Sequence, residues 1–208
     1  MNVLEEFGVV PIDFPALANV LGDYKYPHDK VSKMEVNGEL IRLKKGLYVA
    51  GPNVHRMPLS KELIANHLYG PSYVSFEYAL SFYQLIPERV HSIRSLTLKR
   101  ARNFSTPIGN FEYISAPKNY FEIGIRQEIV NDHYSYLIAS PEKALCDLIY
   151  ATPGLRLQSM KAMQVYLEED LRIDLSAVET FDTEIIRQCM DTGRKRTALT
   201  QLYKLLAQ

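Results

Sequence analysis

The stretch from Asn37 to Gly51, NGELIRLKKGLYVAG, constrains this chain more than any other. Two runs of strand formers, Leu40-Ile41-Arg42-Leu43 and Leu47-Tyr48-Val49, flank a basic tip made of Lys44, Lys45 and Gly46. The pattern predicts a short β-hairpin, with Gly46 supplying the positive φ that a tight three-residue loop needs. Helical patterns precede it. Residues 1–8 predict a short first helix. Asp13-Phe14-Pro15 opens a second, because Asp suits the cap and Pro the first turn; Phe14, Leu17, Ala18 and Leu21 then fall at helical spacing as far as Gly22. Tyr26-Pro27 opens a third, over residues 28–37, closed by Asn37-Gly38.

Helices followed by a basic-tipped hairpin are the layout of a winged helix-turn-helix, which is the expectation for residues 1–52. On the third helix Val31 and Met34 point inward. Lys30, Lys33 and Asn37, at i, i+3 and i+7, share the opposite face, where a recognition helix carries its groups for phosphates and base edges. Simple alternation sets Arg42 and Lys44 on one side of the strand, with Lys45 at the tip, as a rim for phosphates. The plain alternative for such basic residues is a solvated face.

Lys+Arg and Asp+Glu number 24 each, so the formal charge is zero and a nucleic-acid role has to rest on local patches. No window of about 18 apolar residues is present, and no membrane span is expected. MNVLEEFGVV lacks the basic start and apolar run of a signal peptide. Cys146 and Cys189 are therefore expected to be reduced and buried, and the location cytoplasmic.

Gly51-Pro52-Asn53 marks a boundary, and residues 53–208 read as a second domain. Helices are expected at Ser60–Leu68, at Ser75–Gln84 after an extended Tyr73-Val74, and from Ser140-Pro141 to Tyr150. Strands are expected at Ser92–Lys99, Asn110–Ala116, Tyr120–Arg126 and His133–Ile138. Residues 155–170, 176–180, 182–191 and 195–207 form a helical tail. The fold class is α+β: a small antiparallel sheet followed by helices, appended to the winged helix. Between Arg89 and Phe111 there are basic residues and no acid. Arg94, Lys99, Arg100 and Arg102 form a candidate basic patch there, to meet an acidic partner or extend a DNA footprint; a salt-bridged surface is the alternative.

Sites of chemistry are harder to find. His28, His55, His67, His91 and His133 have no metal-ligand spacing with one another or with either cysteine, and neither a Gly-rich phosphate loop nor GxSxG occurs. No metal, cofactor or catalytic residue is expected. Glu77, Tyr78, Tyr83, Arg100, Glu142 and Lys143 would make a phosphodiester site only if they converged. Glu77 and Glu142 also suit the first turns of their helices.

Several pieces in order resemble the AbiEi family, the transcriptional-regulator antitoxins of type IV toxin–antitoxin systems. They are Arg42 to Tyr48, Leu68 to Ser75, Glu77 to Tyr83 with Leu85-Ile86-Pro87-Glu88, Thr97 to Arg100 with Thr106-Pro107-Ile108-Gly109 and Phe111, and Ala139 to Asp147. The resemblance implies an N-terminal winged helix that represses its own operon and a C-terminal antitoxin domain. It implies operator DNA as a partner, and a nucleotidyltransferase-like toxin opposed directly or only functionally. It supports the DNA-binding assignment of Lys30, Lys33, Asn37, Arg42, Lys44 and Lys45. A homodimer on DNA and no membrane partner complete the expectation. The rivals are a non-catalytic protein-interaction module and a phosphodiester-cleaving enzyme.

Overall fold

A computed structural model describes residues 3–22, 24–55 and 57–207. The hairpin joins β2 (Leu40–Lys44) to β3 (Leu47–Ala50), with Lys45 and Gly46 alone between the strands and Gly46 at φ 77°. All four residues of β3 are buried, which a strand achieves only when both of its faces are covered. Tyr48 and Ala50 enter a small core with Leu4, Ile12, Leu17, Leu21, Val31, Met34 and Leu40. Leu47 and Val49 enter the large core of the rest of the chain, together with Leu43. The hairpin is thus a wall shared by two cores.

Around the small core the chain runs as a 3-10 turn (Val3–Phe7), β1 (Ile12–Asp13), α1 (Phe14–Val20) and α2 (Pro27–Val36) before the hairpin. The three strands lie in the order β1-β3-β2, all antiparallel. Asp13 caps α1 by accepting from the Ala16 amide at 2.9 Å, and Pro15 and Pro27 sit in first turns, as their sequence positions predict. The two-residue strand β1 has no alternation to detect and was not anticipated.

The second sheet has six strands: β4 (Ser72–Val74), β5 (Ile93–Thr97), β6 (Arg102–Thr106), β7 (Gly109–Ser115), β8 (Ile125–Val130) and β9 (Tyr134–Ala139), in the order β6-β7-β5-β4-β9-β8. It is mixed rather than antiparallel, because β5 pairs with β7 and β4 with β9 in parallel. Two strand assignments also change. Lys118–Phe121 is a helical turn, α5, and β8 starts only after Gly124, whose φ of 60° breaks the extended run expected over Tyr120–Arg126. Strand β6, RNFST, carries one large apolar residue and gives no period-two signal.

Helices α3 (Lys61–Leu68), α4 (Phe76–Phe82) and α6 (Pro141–Ala151) pack on this sheet. Ser60 and Ser140 cap α3 and α6 through the amides of Leu63 and Lys143. The tail comprises α7 (Met160–Val165) with a π turn over Tyr166–Asp170, α8 (Leu175–Val178), α9 (Thr183–Thr192) and α10 (Arg196–Leu206). Helix α7 begins later than the expected residue 155 because Ser159 caps it. Among the described residues no helix is long and apolar enough to cross a membrane.

Candidate nucleic-acid interface

On α2 the buried stripe is Val31 and Met34, which leaves Lys33 and Asn37 exposed. Lys30 is half-buried, its ammonium over the Tyr24 ring at 5.2 Å from the centroid. Beside it Lys25 lies over Tyr26 at 5.4 Å, and both tyrosines are exposed. Asn37 is not free: its Nδ2 donates to Glu39 Oε1 at 3.2 Å. Asn37 and Lys45 stand beyond opposite ends of β2, a separation of roughly 17 Å for five extended residues.

The hairpin separates its three cations. Arg42 pairs with Tyr48, but Lys44 pairs with Leu47, so the register shifts between them. Two residues of β2 oppose one of β3 there, as in a β-bulge. Tyr48 and Leu47 are neighbours on one strand and face opposite ways, so Arg42 and Lys44 do as well. This corrects the expectation that both line one side. Arg42 and Lys45 are exposed, whereas Lys44 turns toward the second sheet. The Lys44 ammonium donates to the Leu68 carbonyl at the end of α3 and lies 5.9 Å from the Phe104 ring centroid.

That inward turn brings the two basic segments together. Lys99 lies over Tyr69 at 5.2 Å, and Arg102 over Phe104 at 4.9 Å and Tyr69 at 6.0 Å. Tyr69 and Phe104 are tilted against each other at 5.5 Å, and both stand edge-on to Tyr113. The Tyr69 hydroxyl donates to the Arg100 carbonyl at 3.2 Å. Burial, then Lys99, then Arg102 pull the Lys44 ammonium below its ordinary range. Among the described residues, Lys44, Lys99, Arg100 and Arg102 take part in no ion pair. The result is a cationic surface on an aromatic base, running from the β2–β3 hairpin onto β6. Only the cations were singled out from the sequence. That Tyr69 and Phe104 meet beneath them was not legible, because residues 35 positions apart give no local pattern.

Arg94 does not belong to this surface. Its guanidinium lies 2.8 Å from Glu77, its Nε donates to Glu112 at 3.1 Å, and it stacks 4.5 Å from the Phe76 centroid. Two carboxylates neutralise it, which removes it from the expected patch.

The groups considered for phosphodiester chemistry take separate structural partners. Glu77 holds Arg94, the Tyr78 hydroxyl donates to Glu62, and Glu142 accepts from the Asp182 amide at 3.1 Å. Lys143 is fully buried 3.0 Å from Asp147, its ammonium also donating to the Tyr120 carbonyl at 2.9 Å. Asp147 in turn accepts from the Ser75 and Tyr73 hydroxyls at 2.6 and 3.1 Å. Cys146 and Cys189 are both free thiols, both buried, and Lys143 Nζ approaches Cys189 Sγ at 3.8 Å. The neighbouring Cys189 thiol and burial push the Cys146 thiol well above the ordinary range, which favours its protonated form. Among the described residues no His, Cys, Asp and Glu cluster has the makings of a metal site.

No protein-family model matches the chain, and no curated protein matches it.

Proposed function

We propose that residues 1–52 act as a winged helix-turn-helix that binds duplex DNA, and that the chain is a transcriptional regulator. The observation that carries this reading is the convergence of Lys44, Lys99 and Arg102 on one aromatic base, with Lys45 and Arg100 exposed next to them in the chain. Cations with no carboxylate partner are the footprint a phosphate backbone requires. The order of elements supports the same reading: a helical turn, a strand, two helices and a hairpin, with the first strand beside the last. Lys33 and Asn37 would face a groove, and Arg42, Lys45, Arg100 and Arg102 the adjoining phosphates. The resemblance to AbiEi proteins adds the role of an antitoxin that represses its own operon and opposes a nucleotidyltransferase-like toxin.

Fluorescence anisotropy with the duplex upstream of the gene, and with a shuffled duplex, tests the reading across a salt series. Tight, salt-sensitive binding is expected, and R100A/R102A should lower affinity for both duplexes and reduce the slope of log K against log salt by about 2. Absence of binding at low salt would sink the proposal. One observation favours a protein-docking module instead: Lys44, at the wing, is spent on contacts inside the molecule. Binding to an acidic partner protein with no duplex binding would be its signature.

A further inference from the structure

The two ends of the six-stranded sheet are treated differently. At one end β6 carries Arg102, is followed by Pro107, and lies against the wing strand β2. Charge, proline and cover are the usual guards of an open edge. At the other end β8, IRQEIV, contains neither Pro nor Gly, pairs with β9 in unbroken register, and displays Ile129 at 65 % exposure. Leu137 of β9, opposite Gln127, is exposed on the same face.

The backbone groups on that free edge can be identified. Ser140 N–H donates to the Gly124 carbonyl, so Gly124 and Ser140 form a hydrogen-bonded pair, and by alternation so do Arg126 with Ile138 and Glu128 with Tyr136. Asn66 gives an independent check. Its side chain accepts from the Leu137 amide at 2.5 Å and donates to the Leu137 carbonyl at 3.3 Å, so the Leu137 backbone points away from β8. Its partner Gln127 must point the other way. The N–H and C=O groups of Ile125, Gln127 and Ile129 therefore face outward, and none bonds to another part of the chain among the described residues.

We infer that β8 is a self-association edge, at which a second copy of this chain adds its own β8 antiparallel and centred on Gln127. In that register Gln127 meets Gln127 of the second copy and Ile125 meets its Ile129, and each pair exchanges two hydrogen bonds through the outward groups. Arg126 then stands opposite Glu128 of the second copy, twice, on the other face. Sliding by two residues either way would set Arg126 against Arg126 or Glu128 against Glu128. Charge thus selects one register, and within the chain neither Arg126 nor Glu128 forms an ion pair among the described residues. The helices α9 and α10 are less suited to an interface, because their apolar residues Ile186, Cys189, Ala198, Leu199 and Leu202 are already buried.

Sedimentation equilibrium of the full chain tests this. A reversible monomer–dimer equilibrium is expected. R126E and E128R should each raise the dimer Kd about tenfold or more, since each sets like charges opposite at both symmetric positions. An equimolar mixture of the two variants should dimerise again, because every cross-strand pair is then opposite in charge. Q127P should abolish the dimer with the fold unchanged by circular dichroism, since that N–H serves no bond within the sheet. A wild type that stays monomeric at every concentration, or a dimer indifferent to Q127P or to both charge reversals, would overturn the inference. The outcome is separable from DNA binding, because Q127P leaves the wing and β6 intact and still binds a single half-site if the regulator reading holds.

Discussion

Lys143 and Asp147 sit one turn apart on α6 as an ion pair with neither side chain exposed, Nζ to Oδ1 being 3.0 Å. Burying both charges is costly, and the surroundings offset that cost with hydrogen bonds: Tyr120 carbonyl for the ammonium, Ser75 and Tyr73 hydroxyls for the carboxylate. The pair ties α6 to the start of α4, to β4 and to α5, so it fixes how the helices lie on the sheet.

Removing one partner strands the other in the core. Asp147→Ala or Lys143→Met is expected to cost about 3–5 kcal/mol of stability, read from urea denaturation midpoints, while K143M/D147L should cost less than either single change. Single variants that unfold at the wild-type midpoint would show the pair to be dispensable.

Phenols buried on the same core predict an alkaline limit to stability. Burial and then the Asp147 charge hold Tyr73 well above the ordinary tyrosine range; burial does the same for Tyr113, and burial with Glu62 for Tyr78. Tyr83 and Tyr166 are each pushed up to about 12. Folded-state values above the unfolded value near 10 mean that the unfolded chain loses protons first as pH rises. The stabilisation is whole below about pH 10 and falls above it. Thermal melts should stay level up to that pH and then drop, with tyrosinate absorbance appearing together with loss of helical ellipticity. Tyrosinate forming while the ellipticity is unchanged would contradict this.

The bulge in β2 divides the work of adjacent lysines. Lys45 is exposed, whereas Lys44 donates to the Leu68 carbonyl and sits among Lys99, Arg102 and Phe104. Lys45→Ala should weaken binding to every duplex and lower the salt slope by about 1, leaving the melting temperature unchanged. Lys44→Ala should instead lower stability by about 1 kcal/mol through loss of that hydrogen bond, with a smaller effect on binding. Equal effects of the two changes on both measurements would show that the lysines are equivalent.

Much of the local structure was legible because its causes are local. Asp13 and Ser140 announced their helices through cap chemistry, and Gly46 its turn through its φ. Elements without a local period were not legible: β1 is too short, β6 too polar, and β8 sits behind a glycine that ends the expected strand at its beginning. The parallel pairing of β5 with β7 left no mark, because strand order depends on contacts far apart in sequence.

The candidate site divides in the same way. Which residues are basic, and that they cluster near 42–45 and 94–102, is a property of the chain itself. A one-residue slip in β2 turned Lys44 away from Arg42, two carboxylates on other elements silenced Arg94, and the packing of the hairpin against β6 set Lys44, Lys99 and Arg102 around one pair of rings. Sequence patterns report hydrophobic period, turns and caps, which neighbours in the chain determine. Only the tertiary structure decides which charge meets which partner, because Coulomb and hydrogen-bond energies depend on distances through space.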